Sequence, residues 1–270
     1  MKQNNEEMKL QYGNWVSNKI LIKVIIVILF FTIACILLLI IPKNYNNLII
    51  VLLIACILLS LFFIFSLCYL LIAKHMFSYT GGRLQEKVIN ELISTIKWNG
   101  KGKILDIGCG SGFLTIALSK KYRQANTVGL DYWGDSWDFC KNQCETNARI
   151  SGLTNNIEFI KGSASRLPFD DDSFDLVVSN MTFHEINDSK SKILPILEAI
   201  RVLKKGSMFA FQDLFMLKSY FGTIDELKNK IKSIGVAEIN FVDTSQLKFI
   251  PKYLKLPFML GATGILFGRK

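Results

Sequence analysis

Two carboxylates flank a glycine-rich turn and form the first candidate binding site in the chain. The turn carries glycine at every second position, at Gly108, Gly110 and Gly112. Asp106 lies two residues before the turn, and Asp131 ends the next apolar run. Because glycine lacks a Cβ and tolerates positive φ, such a turn lets the backbone approach a bound molecule closely. The carboxylates add acceptors for an ammonium group or for paired hydroxyls.

A histidine and a glutamate form the second candidate site. His184 and Glu185 lie in the stretch SNMTFHEIND, directly after another apolar run. A histidine side chain has an unperturbed pKa of about 6.5, so His184 can take up a proton near neutral pH. We predict that this pair is catalytic, with the alternative that His184 caps the following helix or packs against Phe183.

These residues are positioned by a repeating order of strands and helices. Short apolar runs predict five strands, with the sequences KILDI, TVGLD, IEFIKG, FDLVVSN and SMFAFQDL. Helical spacing between them predicts helices that start near Phe113, Ser136, Asp188 and Thr223. Strands that alternate with helices form a parallel sheet with helices on both faces. Ligands bind such a sheet at the carboxyl ends of its strands, where the candidate residues fall.

Two long, uncharged, apolar runs precede this part of the chain. They cover Val24–Ile41 and Leu48–Ala73, separated by the stretch PKNYNN. A membrane-spanning helix needs about 20 apolar residues, whereas a signal peptide carries one shorter run. We therefore predict a transmembrane α-hairpin with helices at about 20–41 and 48–73. Basic residues concentrate outside the hairpin turn, which predicts that both ends are cytoplasmic in the cell membrane.

These features divide the chain into four predicted segments. We expect a cytoplasmic tail over residues 1–19, two transmembrane helices within 20–73, a juxtamembrane linker and helix over 74–100 and the sheet domain over 101–270. The formal net charge is +10 at pH 7. Because much of this excess lies beside the apolar runs, it favours membrane lipids rather than nucleic acid as the partner.

The spacing of the glycines discriminates between two classes of ligand. Dinucleotide-binding turns read G-x-G-x-x-G, whereas this turn reads G-x-G-x-G. A carboxylate within the first strand, Asp106, suits the ammonium group of a bound amino acid such as that of S-adenosylmethionine. Asp131 can accept hydrogen bonds from both ribose hydroxyls. A nicotinamide-dependent oxidoreductase stays as the alternative, because its ribose carboxylate is present.

Four stretches of the sequence resemble the class I S-adenosylmethionine-dependent methyltransferases, in particular those with a methyltransferase domain of type 11 or 25. ILDIGCGSGF is similar to their first motif and VGLDYW to the second. GSASRLPFDDDSFDLVVSN resembles the third and fourth strand ends, and LKKGSMFAFQD the step into the fifth strand. The resemblance covers about Lys103 to Asp213. It implies an α/β, Rossmann-like, seven-stranded methyltransferase sheet with helices on both faces and S-adenosyl-L-methionine as the cofactor.

The resemblance also implies roles for single residues. It places the adenine beside Tyr132 and the backbone N–H of Ala164. Ser163 stands where many members have an aspartate that accepts a hydrogen bond from the adenine amino group. It places the loop that contains His184 beside the transferable methyl group, with Asn180 orienting the cofactor. The resulting cofactor-binding set is Asp106, Gly108, Cys109, Gly110, Gly112, Asp131, Tyr132, Ser163, Ala164 and Asn180.

Two features that suggest a metal site have simpler interpretations. Cys140 and Cys144 lie one helical turn apart, but they share a helical stripe with Trp137 and Ala148. We therefore expect these thiols to pack in the core. The acidic stretch DDDSFD joins two elements in a turn, where its carboxylates are solvated. The sequence predicts no metal ion.

A basic and apolar segment lies near the end of the sequence. LKFIPKYLKLPFML, residues 247–260, suits a segment on an anionic bilayer surface, with a substrate-covering loop as the alternative. The sequence as a whole predicts a membrane-anchored methyltransferase that acts on a small-molecule or lipid acceptor of hydrophobic or membrane-associated character. Besides the oxidoreductase, a non-catalytic membrane protein that binds S-adenosylmethionine is the alternative.

Overall fold

The computed structural model describes residues 9–40, 47–134, 140–153 and 155–270. The predicted helix start at Ser136 and the predicted core residue Trp137 lie outside these ranges. The chain divides into two compact units. Among the described residues, one unit contains Asn14–Arg83, and the other contains residues 9–13 together with those from Leu84 onward.

The first unit holds two long helices, α1 (Asn18–Ile40) and α2 (Asn47–Phe77). Both are long and apolar enough to cross a membrane, by length and composition. The helices contact each other, with the rings of Phe31 and Phe63 stacked at 6.1 Å between centroids. Their remaining surface is apolar and exposed, as for Phe65, which is 74% exposed. Neither helix is therefore buried in the core of its own unit.

Helix α2 extends beyond the predicted second span. The sequence predicts that this span ends at Ala73, and the helix continues to Phe77. Lys74 and His75 lie in its last turn. Basic side chains at a helix C-terminus interact favourably with the helix dipole, so polar residues extend this helix rather than end it.

The second unit is a seven-stranded sheet with helices on both faces, as predicted. The helices after the hairpin are α3 (Leu84–Ser94), α4 (Phe113–Lys121), α5 (Lys141–Ile150), α6 (Leu194–Arg201), α7 (Lys218–Phe221) and α8 (Ile224–Lys232). The strands are β1 (Gly102–Ile107), β2 (Ala125–Asp131), β3 (Ile157–Lys161), β4 (Phe174–Asn180), β5 (Leu203–Asp213), β6 (Glu238–Asp243) and β7 (Gly264–Arg269).

The strand order is β3-β2-β1-β4-β5-β7-β6. The first five strands in sequence pair in parallel, and β7 pairs antiparallel with both β5 and β6. The order reverses between β1 and β4, so the carboxyl ends of these two strands open a crevice in which such sheets bind ligands. Both candidate sites therefore lie at the carboxyl ends of the strands of one sheet.

Alternating side chains of the strands fill a core on each face of the sheet. In β1, Leu105 packs with the cluster that includes Ile196 and Leu227, from α6 and α8. Its neighbour Ile104 packs with the opposite cluster, which includes Leu92 and Leu118 from α3 and α4. Burial on both faces explains why the strands read as nearly continuous apolar runs.

Helix starts agree with the sequence at two positions and differ at a third. α4 begins at Phe113, and Thr223 caps α8 in a capping box with Glu226. The start predicted near Asp188 is wrong, because α6 begins at Leu194. Pro195 lies in its first turn, where a fixed φ and a missing N–H favour helix initiation. Asp188 has another partner, described below.

Candidate active site

The glycine turn after β1 adopts a backbone that requires glycine. Gly108, Gly110 and Gly112 have φ values of 71°, 56° and 82°. The backbone N–H of Gly108 donates to the carbonyl of Leu130 in β2, at 2.7 Å. A Cβ at Gly108 would lie 2.2 Å from the side chain of Thr182. The turn therefore brings the ends of β1 and β2 and the loop after β4 into direct contact.

The carboxylate of Asp131 holds the turn from the end of β2. Its Oδ2 accepts from the backbone N–H of Gly110 at 2.8 Å, and its Oδ1 accepts from that of Trp133 at 2.7 Å. Trp133 Nε1 donates in turn to the carbonyl of Gly110, at 2.9 Å. Burial raises the pKa of Asp131 above its usual value, against the opposing backbone hydrogen bonds. Trp133, which was not among the predicted site residues, is thus part of this turn.

Asp106 is a buried carboxylate beneath the turn. It is 1% exposed, and its Oδ2 accepts from the hydroxyl of Thr115 at 2.6 Å. Burial raises the pKa of Asp106 to about 7, against the opposing hydrogen bond from Thr115. A nearby cation would lower this pKa and keep the carboxylate ionised.

The predicted cofactor residue Cys109 contributes its side chain to the core. It is 7% exposed and packs with Cys144, Ile116 and Phe159. Burial raises the pKa of the Cys109 thiol well above its usual value, so the thiol is neutral at physiological pH. Cys144 is also buried, as predicted, whereas Cys140 is exposed and corrects the prediction that both thiols pack in the core. Cys140 precedes the first residue of α5, where the chain lies outside the packed face.

The carboxylate absent from position 163 comes from another loop. Ser163 Oγ and Ser165 Oγ donate to Asp188 Oδ2, at 2.6 and 2.8 Å. The hydrogen bond from Ser163 is the main reason that the pKa of Asp188 is lowered. Tyr132 is 65% exposed, with Lys161 Nζ 5.7 Å from its ring centroid. Asp188 lies 25 residues beyond Ser163, so no spacing in the sequence indicates this contact.

His184 is held by a second buried carboxylate, at the end of β5. Its Nδ1 lies 2.6 Å from Asp213 Oδ1, and Asp213 is 0% exposed. Backbone N–H groups of Thr182, Phe183 and Leu214 donate to the same carboxylate, at 3.1, 2.7 and 2.7 Å. His184 Nε2 lies 3.3 Å from Glu185 Oε1. The predicted catalytic pair, His184 and Glu185, is therefore joined by a third residue, Asp213.

The charge of Asp213 decides the protonation state of His184. Burial alone would lower the pKa of His184, but Asp213 and Glu185 raise it to about 10. The imidazole is therefore protonated at neutral pH. This ion pair opposes a simple general-base role, which requires a pKa near the working pH.

Two buried amide oxygens lie next to each other at the same edge. Asn180 and Gln212 are paired in register at the ends of β4 and β5. Among the residues that the structure describes, neither Asn180 Oδ1 nor Gln212 Oε1 has a hydrogen-bond partner. Buried acceptors are normally satisfied, so this pair indicates a ligand that donates hydrogen bonds. Gln212 was not among the predicted site residues.

The segment before the first apolar run packs against the glycine turn. The amide of Asn147, in α5, accepts from the backbone N–H of Gln11 and donates to its carbonyl, both at 2.9 Å. The same amide donates to the carbonyl of Ser111 at 3.2 Å. The ring of Tyr12 stacks on that of Phe113, at 4.2 Å between centroids. Residues predicted as part of a tail thus support the turn.

Comparison with known proteins decides the family. A family model described as a methyltransferase domain matches residues 99–253, more than half of the chain. The chain belongs to this methyltransferase family. This agrees with the sequence prediction of an S-adenosylmethionine-dependent methyltransferase domain. The family disfavours the nicotinamide-dependent alternative.

Curated relatives of the methyltransferase match its central part. The fatty-acid O-methyltransferase of Mycolicibacterium smegmatis is 33% identical over 116 residues, which are 41% of this chain and 36% of the relative. The demethylmenaquinone methyltransferase of Staphylococcus epidermidis is 34% identical over 117 residues, 43% of this chain and 45% of the relative. The chain thus spans less than half the length of these curated relatives.

Solved structures share the fold of the methyltransferase. An S-adenosylmethionine-dependent methyltransferase from Mesorhizobium loti has a TM-score of 0.50 and 16% identity, over 67% of this chain and 96% of that one. The cyclase SpnF has a TM-score of 0.52 and 17% identity, over 68% of this chain and 80% of that one. One fold therefore serves different reactions, and the acceptor must be argued from the site.

The residues of this methyltransferase fit S-adenosylmethionine. The face of the sheet that carries Asp106 also carries Asn180 and Gln212, since Asp106 pairs with Val178, two residues before Asn180. A carboxylate and two unpartnered acceptor oxygens suit an ammonium group, which has three N–H donors. Asp131 suits the ribose hydroxyls. These individual roles stay predictions.

Proposed function

We propose that this methyltransferase is anchored in the cell membrane by α1 and α2 and methylates a hydrophobic or membrane-associated acceptor. The observation that carries the anchoring is the exposed apolar surface of both helices. Phe30 is 65% exposed and Leu37 is 60% exposed. Hydrocarbon would cover such side chains, whereas water would not favour them. The predicted division into tail, hairpin, linker and sheet domain is part of this proposal.

The distribution of charge supports cytoplasmic ends. Lys19 and Lys23 lie in the first turns of α1, and Lys74 lies in the last turn of α2. The turn between the helices contains Lys43 as its single basic residue. An excess of basic residues marks the cytoplasmic side of a membrane. Both ends of the hairpin, and with them the catalytic domain, would face the cytoplasm.

The two curated relatives support a lipid-like acceptor. Their names specify a fatty acid in one case and demethylmenaquinone in the other. S-Adenosylmethionine supplies an electrophilic methyl group, so the acceptor must present an electron pair in line with it. A protonated His184 has two N–H groups: Nδ1 faces the buried Asp213, and Nε2 lies 3.3 Å from Oε1 of the exposed Glu185. We therefore favour an acceptor oxygen that displaces Glu185 from Nε2, with Asp213 fixing the imidazole.

Incorporation of label tests this function. The full chain in detergent is incubated with methyl-labelled S-adenosylmethionine and either a lipid extract or a water-soluble extract of cells. Label should appear in the organic phase of the lipid reaction, and a matched Asp131→Ala chain should give none. Label that appears only in water-soluble products contradicts the lipid-like acceptor.

The pKa of Asp106 predicts how cofactor affinity depends on pH. A carboxyl that titrates at about 7 is mostly protonated at pH 6, and a bound ammonium group must displace that proton. Affinity for S-adenosylmethionine should therefore rise about fivefold between pH 6 and pH 7 and then level off, because the α-amino group of the ligand loses its own proton at about pH 8. Calorimetry at several pH values measures this rise. In Asp106→Asn, the affinity should be lower and nearly independent of pH over the same range; an unchanged slope assigns the titration to another group.

The serine–aspartate contact predicts a second effect on affinity. In Asp188→Ala, Ser163 and Ser165 lose their common acceptor, and the adenine side of the site loses its carboxylate. A charge-assisted hydrogen bond contributes about 1.5–3 kcal/mol, so affinity should fall at least tenfold. Titration of the demethylated cofactor product gives the same readout without turnover. Asp170→Ala removes an exposed carboxylate and serves as the control; an equal response of the two variants would refute this role.

A further inference from the structure

The loop between β6 and β7, residues 244–263, leaves the sheet beside the candidate active site. β6 ends at Asp243 and β7 begins at Gly264, and these residues are paired with each other. Gly264 is also paired with Asp213, the residue that holds His184. Since Asp213 ends β5, the β6–β7 loop rises from the edge of the sheet that carries the catalytic candidates.

Part of the β6–β7 loop anchors it to the domain. Leu254, Leu260 and Ile250 are 0%, 1% and 3% exposed. The backbone N–H of Leu260 donates to the carbonyl of Leu254 at 3.1 Å, which closes the tip of the loop. A Cβ at Gly261 would lie 2.1 Å from the carbonyl oxygen of Lys255, so the chain is tightly folded there. These apolar side chains are therefore packed inside the domain and do not face a membrane.

A second set of apolar side chains in the same loop faces outward. Phe258 is 67% exposed, Tyr253 is 45% exposed and Leu256 is 37% exposed. Pro257 between them is exposed as well. Because the buried residues fix the backbone, these side chains are presented from a rigid frame. Exposed aromatic and aliphatic groups on such a frame suit insertion into a lipid headgroup region.

The basic residues around these apolar side chains indicate which kind of surface the loop contacts. Lys248 and Lys252 are exposed, and Lys255 is partly exposed. The chain contains no acidic residue after Asp243. A Lys near an anionic membrane surface contributes about 1 kcal/mol of attraction. Nucleic acid would engage the lysines but would leave Phe258 and Leu256 in water, so the combination favours lipid.

We propose that the β6–β7 loop docks on an anionic lipid bilayer and so places the active-site edge of the sheet at the membrane surface. The inference rests on the proposed function, because a lipid-soluble acceptor gives the docking its purpose. An acceptor dissolved in the bilayer could then reach His184 without crossing water. The loop would be a peripheral contact in addition to the apolar helices.

Amide hydrogen exchange of the full chain tests the loop separately from the anchor. The chain is reconstituted in vesicles of phosphatidylcholine alone or of phosphatidylcholine with phosphatidylglycerol. Three lysines at about 1 kcal/mol each predict exchange at least tenfold slower over residues 244–263 in the anionic vesicles. Exchange in β1 and β4 should be the same in both, because the core of the sheet does not meet the lipid.

Variants separate lipid docking from other causes of protection. In Leu256→Ser with Phe258→Ser, or in Lys248→Gln with Lys252→Gln, the difference between the vesicles should largely disappear. Ile234→Ser with Lys232→Gln alters an exposed apolar and basic pair elsewhere and should keep it. Equal exchange in the two kinds of vesicle overturns the proposal, as does protection by a DNA duplex without vesicles.

The anchor has its own readout in the same samples. A chain that is released from vesicles by alkaline carbonate contradicts the anchoring in the proposed function. The released chain is then mixed with each kind of vesicle, and the exchange comparison still decides the role of the loop. Failure of the anchor and failure of the docking are therefore distinguishable.

Discussion

Asp131→Ala should lower the affinity for S-adenosylmethionine at least about a hundredfold. The carboxylate offers acceptors for two ribose hydroxyls, and each charge-assisted hydrogen bond contributes about 1.5–3 kcal/mol. The substitution also removes the acceptor for the backbone N–H groups of Gly110 and Trp133. Since these bonds hold the glycine turn in place, the loss of binding combines a missing ligand contact with a looser turn.

Calorimetric titration of the full chain in detergent measures this loss. The demethylated product should be affected to the same extent as S-adenosylmethionine, because both carry the ribose. Asp131→Asn should be intermediate, since an amide keeps one acceptor oxygen for the turn. Asp170→Ala, an exposed carboxylate, should bind as the unaltered chain does. Full affinity of the Asp131→Ala chain would contradict the prediction that the Asp131 carboxylate binds the ribose hydroxyls.

Asp213→Asn should destabilise the sheet domain by about 3–5 kcal/mol, because it leaves the imidazolium of His184 buried without its counter-charge. The carboxylate is fully buried and accepts from three backbone N–H groups as well as from His184. An amide cannot accept all of these bonds. For a domain of this size, the midpoint of thermal unfolding should fall by about 10 °C.

The raised pKa of His184 gives this effect a pH dependence. The pKa is about 10 in the folded chain and 6.5 in its ordinary state. The stabilisation is therefore complete below pH 6.5, declines as the pH rises and is lost above pH 10. Near-ultraviolet circular dichroism on heating, at pH 6, 8 and 10, should show the difference between the chains shrinking with pH. The matched control is Asp225→Asn, on the first turn of α8. A difference in unfolding midpoint that does not change with pH would show that the stabilisation does not come from the charge on His184.

Turnover separates a catalytic from a purely structural role for the same pair. His184→Gln should reduce kcat about a hundredfold if the imidazole holds the acceptor, with cofactor affinity unchanged. A loss confined to thermal stability, with kcat preserved, would make His184 a positioning residue for the loop after β4.

The parallel part of the sheet was readable from the sequence because its strands are buried on both faces. Continuous apolar runs such as FDLVVSN mark them, and the glycine turn fixes where β1 ends. β6 and β7 were not identified: β6 lies at an edge of the sheet and has no fully buried residue, and β7 carries glycine at both Gly264 and Gly268. Their sequences alone do not distinguish strand from loop.

The candidate site likewise contains some residues that the sequence identifies and others that only the structure reveals. Asp106, Asp131 and the three glycines are close in sequence or at strand ends, so their spacing indicates a shared ligand. Asp188 and Asp213 act through contacts with residues 25 and 29 positions away. A lone aspartate carries no sequence signal for such a partner. The fold creates these contacts, and only the fold reveals them.

The two apolar helices lie between two stretches of chain that belong to the same compact unit. The chain leaves the domain after Gly13, where Gln11 and Tyr12 pack on the glycine turn, and returns to it at Leu84. A truncated form that begins at Ser78 would lack both apolar helices, but it would also expose Phe113 and leave the amide of Asn147 without its Gln11 partner. We expect such a fragment to bind the cofactor less tightly than a chain that keeps Gln11 and Tyr12, because the glycine turn loses this support.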